Sequence, residues 1–174
     1  IIRIKESNDI QNLLLREADI AIRHSRPNQQ ELIATHVGDL RANLYASSDY
    51  LKRAGRPRTK EDVANLDFVG IPDPERLLAP LNNMGIPLRS TNFVTQPHSS
   101  MVTWEMVKSG HGTAILPEVL GEAEIKVEKV LTDLPSMEFP IWLVTHRELQ
   151  TSPKIRTVFD FLSNSLGHVA KRHS

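Results

Sequence analysis

The chain has 174 residues, with 21 Lys+Arg against 21 Asp+Glu, no Cys and 40% hydrophobic content. Absence of Cys excludes a disulfide framework, a Cys-based zinc site and a thiol nucleophile, and fits a reducing compartment. Zero formal net charge argues against a phosphate-binding surface, because free-standing nucleic-acid binders are normally basic.

A chain of this length holds one domain or two small lobes, and buries about 70% of its unfolded surface when folded. Its apolar runs are too short to span a membrane, and no basic stretch followed by an apolar one marks a leader. The opening residues, Ile1-Ile2-Arg3-Ile4, read as a strand already under way. We therefore expect a fragment whose upstream part is missing.

Ile2 to Lys5 alternates with period two and predicts a strand. Ser7-Asn8-Asp9 is a cluster of N-cap residues, and Ile10, Leu13, Leu14 and Glu17 keep helical spacing. Ala18 to Arg23 predicts the next strand, completing a strand–helix–strand rhythm typical of parallel sheets. His24 to Glu31 contains Pro27-Asn28 and reads as a loop. Leu32 to Ala46 predicts two β pieces broken near Gly38-Asp39.

Ser47-Ser48 caps a short helix through Tyr50, Leu51 and Ala54 that Gly55 stops. Thr59 and Asp62 have capping-box spacing ahead of Val63 and Leu66. Phe68 to Ile71 predicts a buried strand, with Pro72 and Pro74 in the turn after it. Between 75 and 90, Leu77, Leu78 and Leu81 suggest a helix that Pro80 interrupts. Asn92 to Thr95 predicts a strand, Gln96 to Ser100 a loop, and Met101 to Ser109 a helix ended by Gly110.

Gly112 to Pro117 then predicts a strand. A short helix to about Glu122 and strands near 127–131 and 139–145 follow. The final helix is capped by Ser152 and has Pro153 at its first position. Its apolar stripe is Ile155, Val158, Phe159, Leu162 and Leu166. Gly167 is expected to end it, leaving a polar, frayed tail. No period of 20–50 residues repeats, so a solenoid is excluded. The alternation of strands and helices places the chain in the α/β class.

Catalytic signatures are missing. The sequence has no Walker loop and no GxSxG elbow, and its His residues never take HExxH spacing. Ser109-Gly110-His111-Gly112 lacks the third glycine of a dinucleotide fingerprint and precedes a strand. No metal, cofactor or catalytic residue is therefore expected.

Two features can carry a binding site. Gln96, His98, Ser99 and Ser100 lie at a strand-to-helix junction, where free backbone N–H groups and the helix dipole favour a small anion. The alternative is that Ser99 or Ser100 only caps its own helix. Arg23 and His24 follow a strand, and Ser7 and Asn8 follow another; ligands of open α/β sheets collect at such carboxyl ends. Arg23 could hold a carboxylate by two parallel hydrogen bonds, or it and His24 could be plain loop residues.

The stretch Ser109 to Pro117, "SGHGTAILP", resembles the aGxGxAxLP signature of the effector-binding domain of LysR-type transcriptional regulators. Arg16 to Arg23 resembles that family's GexDiaiR segment. Val37 to Leu40, Leu44 to Ser47 and Tyr50-Leu51 resemble its crossover. Gly55-Arg56-Pro57, Thr59, Asp62 and Leu66 resemble its GxPxtpeDL stretch. Thr91-Asn92 is similar to the strand leading into the site helix, and Ser152 to Leu162 to the closing helix. In order, these pieces cover almost the whole chain.

The resemblance implies two Rossmann-like lobes joined by two crossover strands, similar to type-2 periplasmic binding proteins. Lobe I would be residues 1–43 plus 145–174, without its first strand and helix, and lobe II residues 44–144. The crossovers would be near 44–47 and 142–145. A small effector, such as an acidic metabolite, would sit between a lobe II wall of Gln96, His98, Ser99 and Ser100 and a lobe I wall of Ser7, Asn8, Arg23 and His24. Pro72 and Thr113 would line the same cleft.

The family also implies a cytoplasmic protein and a homodimer or tetramer pairing lobe I with lobe II. The strands at Ile2–Lys5 and Asn92–Thr95 are candidate edges for that pairing. DNA would be bound only through a winged helix-turn-helix absent from this chain. A solute-binding protein of the same fold serving transport is the rival reading.

Overall fold

The computed structural model describes residues 1–6 and 18–171. In chain order the elements are β1 (Ile20–Arg23), β2 (Leu32–Ser47), α1 (Ser48–Ala54), α2 (Lys60–Val63), β3 (Phe68–Val69), α3 (Glu75–Asn83) and β4 (Phe93–Thr95). Then come α4 (Ser100–Lys108), β5 (Thr113–Pro117), α5 (Glu118–Gly121), β6 (Val127–Lys129), β7 (Met137–His146) and α6 (Pro153–Lys171). Contacts divide the chain into two compact units. One comprises Ile1–Asp9 and Asn43–Pro135; the other comprises Ile10–Ala42 and Ser136–Ser174.

The second of these units is an antiparallel sheet covered by α6. β7 lies between β1 and β2, pairing Ile20 with Thr145 on one side and Leu32 with His146 on the other. Thr145 Oγ1 also donates to the Asp19 carbonyl at 2.9 Å. Leu32 and Val144 are buried among Ala18, Ala21, Ala34 and Trp142. The Trp142 ring receives the Arg26 guanidinium at 5.5 Å and the His36 ring at 5.1 Å.

The β2–β7 ladder shifts register between His36 and Gly38, then continues to Ala42–Met137. Leu32–Ser47 is therefore one strand, where the sequence suggested two pieces. A bulge bends a strand and leaves one residue unpaired without ending the ladder. Gly38 has φ +147°, and a Cβ there would fall on the Cβ of Ala170 in α6. Gly167 likewise brings α6 close to the Val37 carbonyl. The helix runs through Gly167 to Lys171, contrary to the expected stop. The missing side chain serves close approach to β2 instead of a left-handed cap.

In the other unit the rest of β2 is followed by β5, β3 and β4, and β6 also pairs β2. β3 is parallel to both β4 and β5, which is the α/β pattern expected from alternating strands and helices. Tyr45, Val69, Val107, Ala114, Leu116 and Val127 form its buried cluster, with Trp104 and Met106 against it.

Local signals explain the helices here. Ser47 caps α1 by accepting from Tyr50 N. Thr59 and Asp62 close a reciprocal capping box on α2. α3 forms despite Pro80, burying Leu78 and Leu81; packing of that face outweighs the one helical donor that proline lacks.

Two further expectations need correction or limitation. Ile2–Lys5 is not a strand: the described residues 1–6 have no regular structure, and Ile1, Ile2 and Ile4 are exposed. Period-two alternation supplies no hydrogen-bond partner, and a strand needs one. The helix expected from Ile10 lies outside the described residues. Contacts group β7 with Leu32–Ala42, with which it pairs along its length, so the compact units divide at Pro135–Ser136.

Gly38→Ala should lower stability by about 1–3 kcal/mol, from the strained φ and the collision with Ala170. Adding Ala170→Gly should recover only part of the loss in denaturant unfolding, since the backbone strain remains.

Candidate functional site

The junction of β4 and α4 is built by capping. Ser99 stands at the N-cap with extended backbone, and its Oγ accepts from Val102 N at 3.4 Å. Its carbonyl accepts from Thr103 N at 3.0 Å. Capping leaves other N–H groups of the first turn available, and one of them is in use. Ser100 N donates to Glu6 Oε1 at 2.6 Å.

The Ser99 hydroxyl donates to the same carboxylate and is the main reason the Glu6 carboxyl titrates below the usual range. Partial desolvation opposes this, and the Ser100 backbone and hydroxyl add to it. A carboxylate of the chain thus occupies the positive end of α4, the arrangement that helix dipoles favour. On the next turns of α4, Lys108 lies 5.2 Å from the Trp104 ring and pairs with Glu105 at 2.6 Å.

Gln96, His98, Ser99 and Ser100 are neighbours on this one junction. Gln96 Nε2 donates to the Phe93 carbonyl at 3.4 Å, and His98 is exposed. Pro72 is half-buried in the turn after β3. Thr113 is fully buried at the start of β5, paired with Phe68, and its Oγ1 has no hydrogen-bond partner among the described residues.

Arg23 and His24 belong to the other unit, at the end of β1. His24 Nδ1 is 3.1 Å from the Pro140 carbonyl, and its ring meets the edge of Phe139 at 6.1 Å. Ser7 and Asn8 lie outside the described residues.

Sequence reasoning missed Glu6, which is 94 positions from its partner; no local pattern encodes such a contact. It also missed a buried polar group where β2 enters its second unit. Asn43 Nδ2 donates to the Leu134 carbonyl at 3.2 Å and to Glu118 Oε1 at 3.4 Å, while its Oδ1 accepts from Leu44 N at 2.9 Å.

Glu118 is 3% exposed and pairs with Lys129 at 3.0 Å. Burial lowers the Lys129 pKa, but hydrogen bonds to Glu118 and Glu122 outweigh it and hold the ammonium above its ordinary value. The nearby Tyr45 phenol is pushed up to about 12, chiefly by burial. Lys129 thus stands between two carboxylates, and the group ties β2, α5 and β6 together. Among the described residues no group of three His, Cys, Asp or Glu is placed to hold a metal. No described helix is long and apolar enough to cross a membrane.

Ser99→Ala removes both a cap and the strongest donor to Glu6. An NMR titration should show the Glu6 pKa rising toward 4.5, with α4 weakened by about 1 kcal/mol. The folded pKa is depressed, so the contact's contribution is present above the unfolded value and fades as pH falls through the folded one. The wild-type advantage over the variant should therefore shrink on acidification below that range.

The LysR substrate binding domain family model matches residues 2–167. The HTH-type transcriptional regulator CrgA of Neisseria meningitidis serogroup C (strain 8013) is 28% identical over 167 residues, covering 90% of this chain and 54% of that protein. The chain thus spans about half the length of the curated relatives it matches. The regulatory domain of CrgA, a LysR-type transcriptional regulator from Neisseria meningitidis, superposes with TM-score 0.74 at 26% identity, over 89% of this chain and 78% of that one.

The effector binding domain of AmpR from Citrobacter freundii shares the fold, with TM-score 0.72 at 16% identity, over 91% and 80% of the two chains. On the match of residues 2–167, this chain belongs to the LysR substrate binding domain family.

Proposed function

We propose that this chain is the effector-sensing part of a LysR-type regulator and takes a small carboxylic acid at the start of α4. The observation that carries this reading is the Glu6 carboxylate seated on Ser99 and Ser100: the junction's donors bind that functional group. Gln96 and His98 flank the seat, and Pro72 and Thr113 are its candidate neighbours in the same unit. On this reading that unit is lobe II, expected over residues 44–144. Ser7, Asn8, Arg23 and His24 are the further effector contacts that the family resemblance suggests.

Binding makes and breaks no covalent bond. The acid favours whichever arrangement of the lobes it contacts better, and its differential affinity shifts their population. Read-out passes to paired subunits and to a DNA-binding part outside this chain, in the cytoplasm. Strand β4 offers an edge for that pairing, with Val94, Met101 and Val102 exposed beside it.

The test is isothermal titration with a panel of small carboxylic acids. Ser99→Ala/Ser100→Ala should weaken the best binder by about tenfold or more, the scale of a lost charge-assisted hydrogen bond. Glu6→Gln should strengthen it, because the resident carboxylate competes for the same donors. Unchanged affinity in both variants refutes the seat.

A further inference from the structure

A cavity lies away from the β4–α4 junction, within the unit that includes Asn43–Pro135. Its volume is about 470 Å³, and its walls are the Arg56–Lys60 connector and the chain from Glu128 to Leu134, with Leu51 between them. That size lies within the range of small-molecule sites. Leu51, Val130 and Leu134 are buried and give it an apolar floor. Arg58, Lys60 and Asp133 are exposed at the mouth.

The charges at this cavity are unevenly committed. Arg56 and Glu128 neutralise one another through two parallel hydrogen bonds of 2.7 and 2.8 Å. Lys129 is held by Glu118 and Glu122 at 3.0 and 3.1 Å. Lys60 Nζ donates to the Met84 carbonyl, a neutral acceptor that leaves its charge uncompensated. The Arg58 guanidinium makes no hydrogen bond or ion pair among the described residues; the Asp62 carboxylate, which accepts from the backbone N–H groups of Arg58 and Thr59, acts on it only through its charge. Against these two cations stands Asp133, whose only described contact is a hydrogen bond from the Thr132 hydroxyl at 3.4 Å.

We propose that this cavity is a second binding site, separate from the α4 seat, for a small monoanionic carboxylate with an apolar body. Arg58 takes the carboxylate by paired hydrogen bonds, Lys60 adds charge, and the body lies on Leu51, Val130 and Leu134. Asp133 disfavours a second negative charge on the ligand and so selects a monoanion over a dianion. Occupancy is felt where the chain leaves the unit: the carbonyl of Leu134 is the acceptor of Asn43 Nδ2, and the passage at Pro135–Ser136 follows directly.

The probe is phenylacetate, with 2-phenylethanol as its uncharged counterpart, added to the methyl-labelled 174-residue chain and followed by NMR. Phenylacetate should shift the Leu51, Val130 and Leu134 methyls with a saturating titration. Arg58→Gln should weaken that titration about tenfold while the amide spectrum stays folded, and 2-phenylethanol should bind at least tenfold more weakly, as loss of one charge-assisted contact implies. Shifts confined to the Met101 and Val102 methyls overturn this site while supporting the α4 seat. No shift at the cavity methyls, equal binding of the alcohol, or an unaffected Arg58→Gln variant each overturns it as well.

Discussion

Strand β2 is the constraint on which both units rest. Its first part fixes the register of β7, and through β7 that of β1; its last residues are the partners of β6 and the neighbour of β5. A one-residue slip along such a strand would exchange its two faces. The extra residue at the bulge, Val37, is tolerated because Gly38 follows it, where the backbone takes φ +147° and α6 presses against it. One glycine therefore reconciles a long ladder with a closely packed helix.

Much of this was legible locally. Ser47, Thr59 with Asp62, and Ser99 all mark helix starts, because a capping hydroxyl acts within three residues of its own backbone. The strands at Phe68, Phe93 and Thr113 were visible as short apolar runs. Long-range pairing was not. Ile2 and Ile4 alternate as a strand should, yet nothing in four residues reveals whether a partner strand exists. Gly167 carries the same mark as a helix stop, and only the approach of Val37 explains why the helix continues.

The site divides in the same way. The hydroxyls at Ser99 and Ser100 were readable as potential anion donors, since the reason is local: helix starts expose N–H groups. That the chain's own Glu6 satisfies them was not readable. Nor was the burial of Glu118, which follows from Asn43 and Lys129, each distant in sequence. At α4 the chain's own Glu6 takes the backbone and hydroxyl donors, so on the reading proposed above an acid would have to replace it there, whereas at the Arg56–Lys60 connector the proposed ligand would meet side-chain cations.

The chain has two tryptophans, and they divide between the units. Trp104 rides on α4 beneath Lys108, four residues beyond Ser100. Trp142 lies in β7 between Arg26 and His36. Each indole thus has its own cationic neighbour and no cysteine anywhere to complicate labelling or quenching. Replacing either one with phenylalanine leaves a molecule whose tryptophan emission comes from a single, known unit, so the halves can be watched separately in one cuvette.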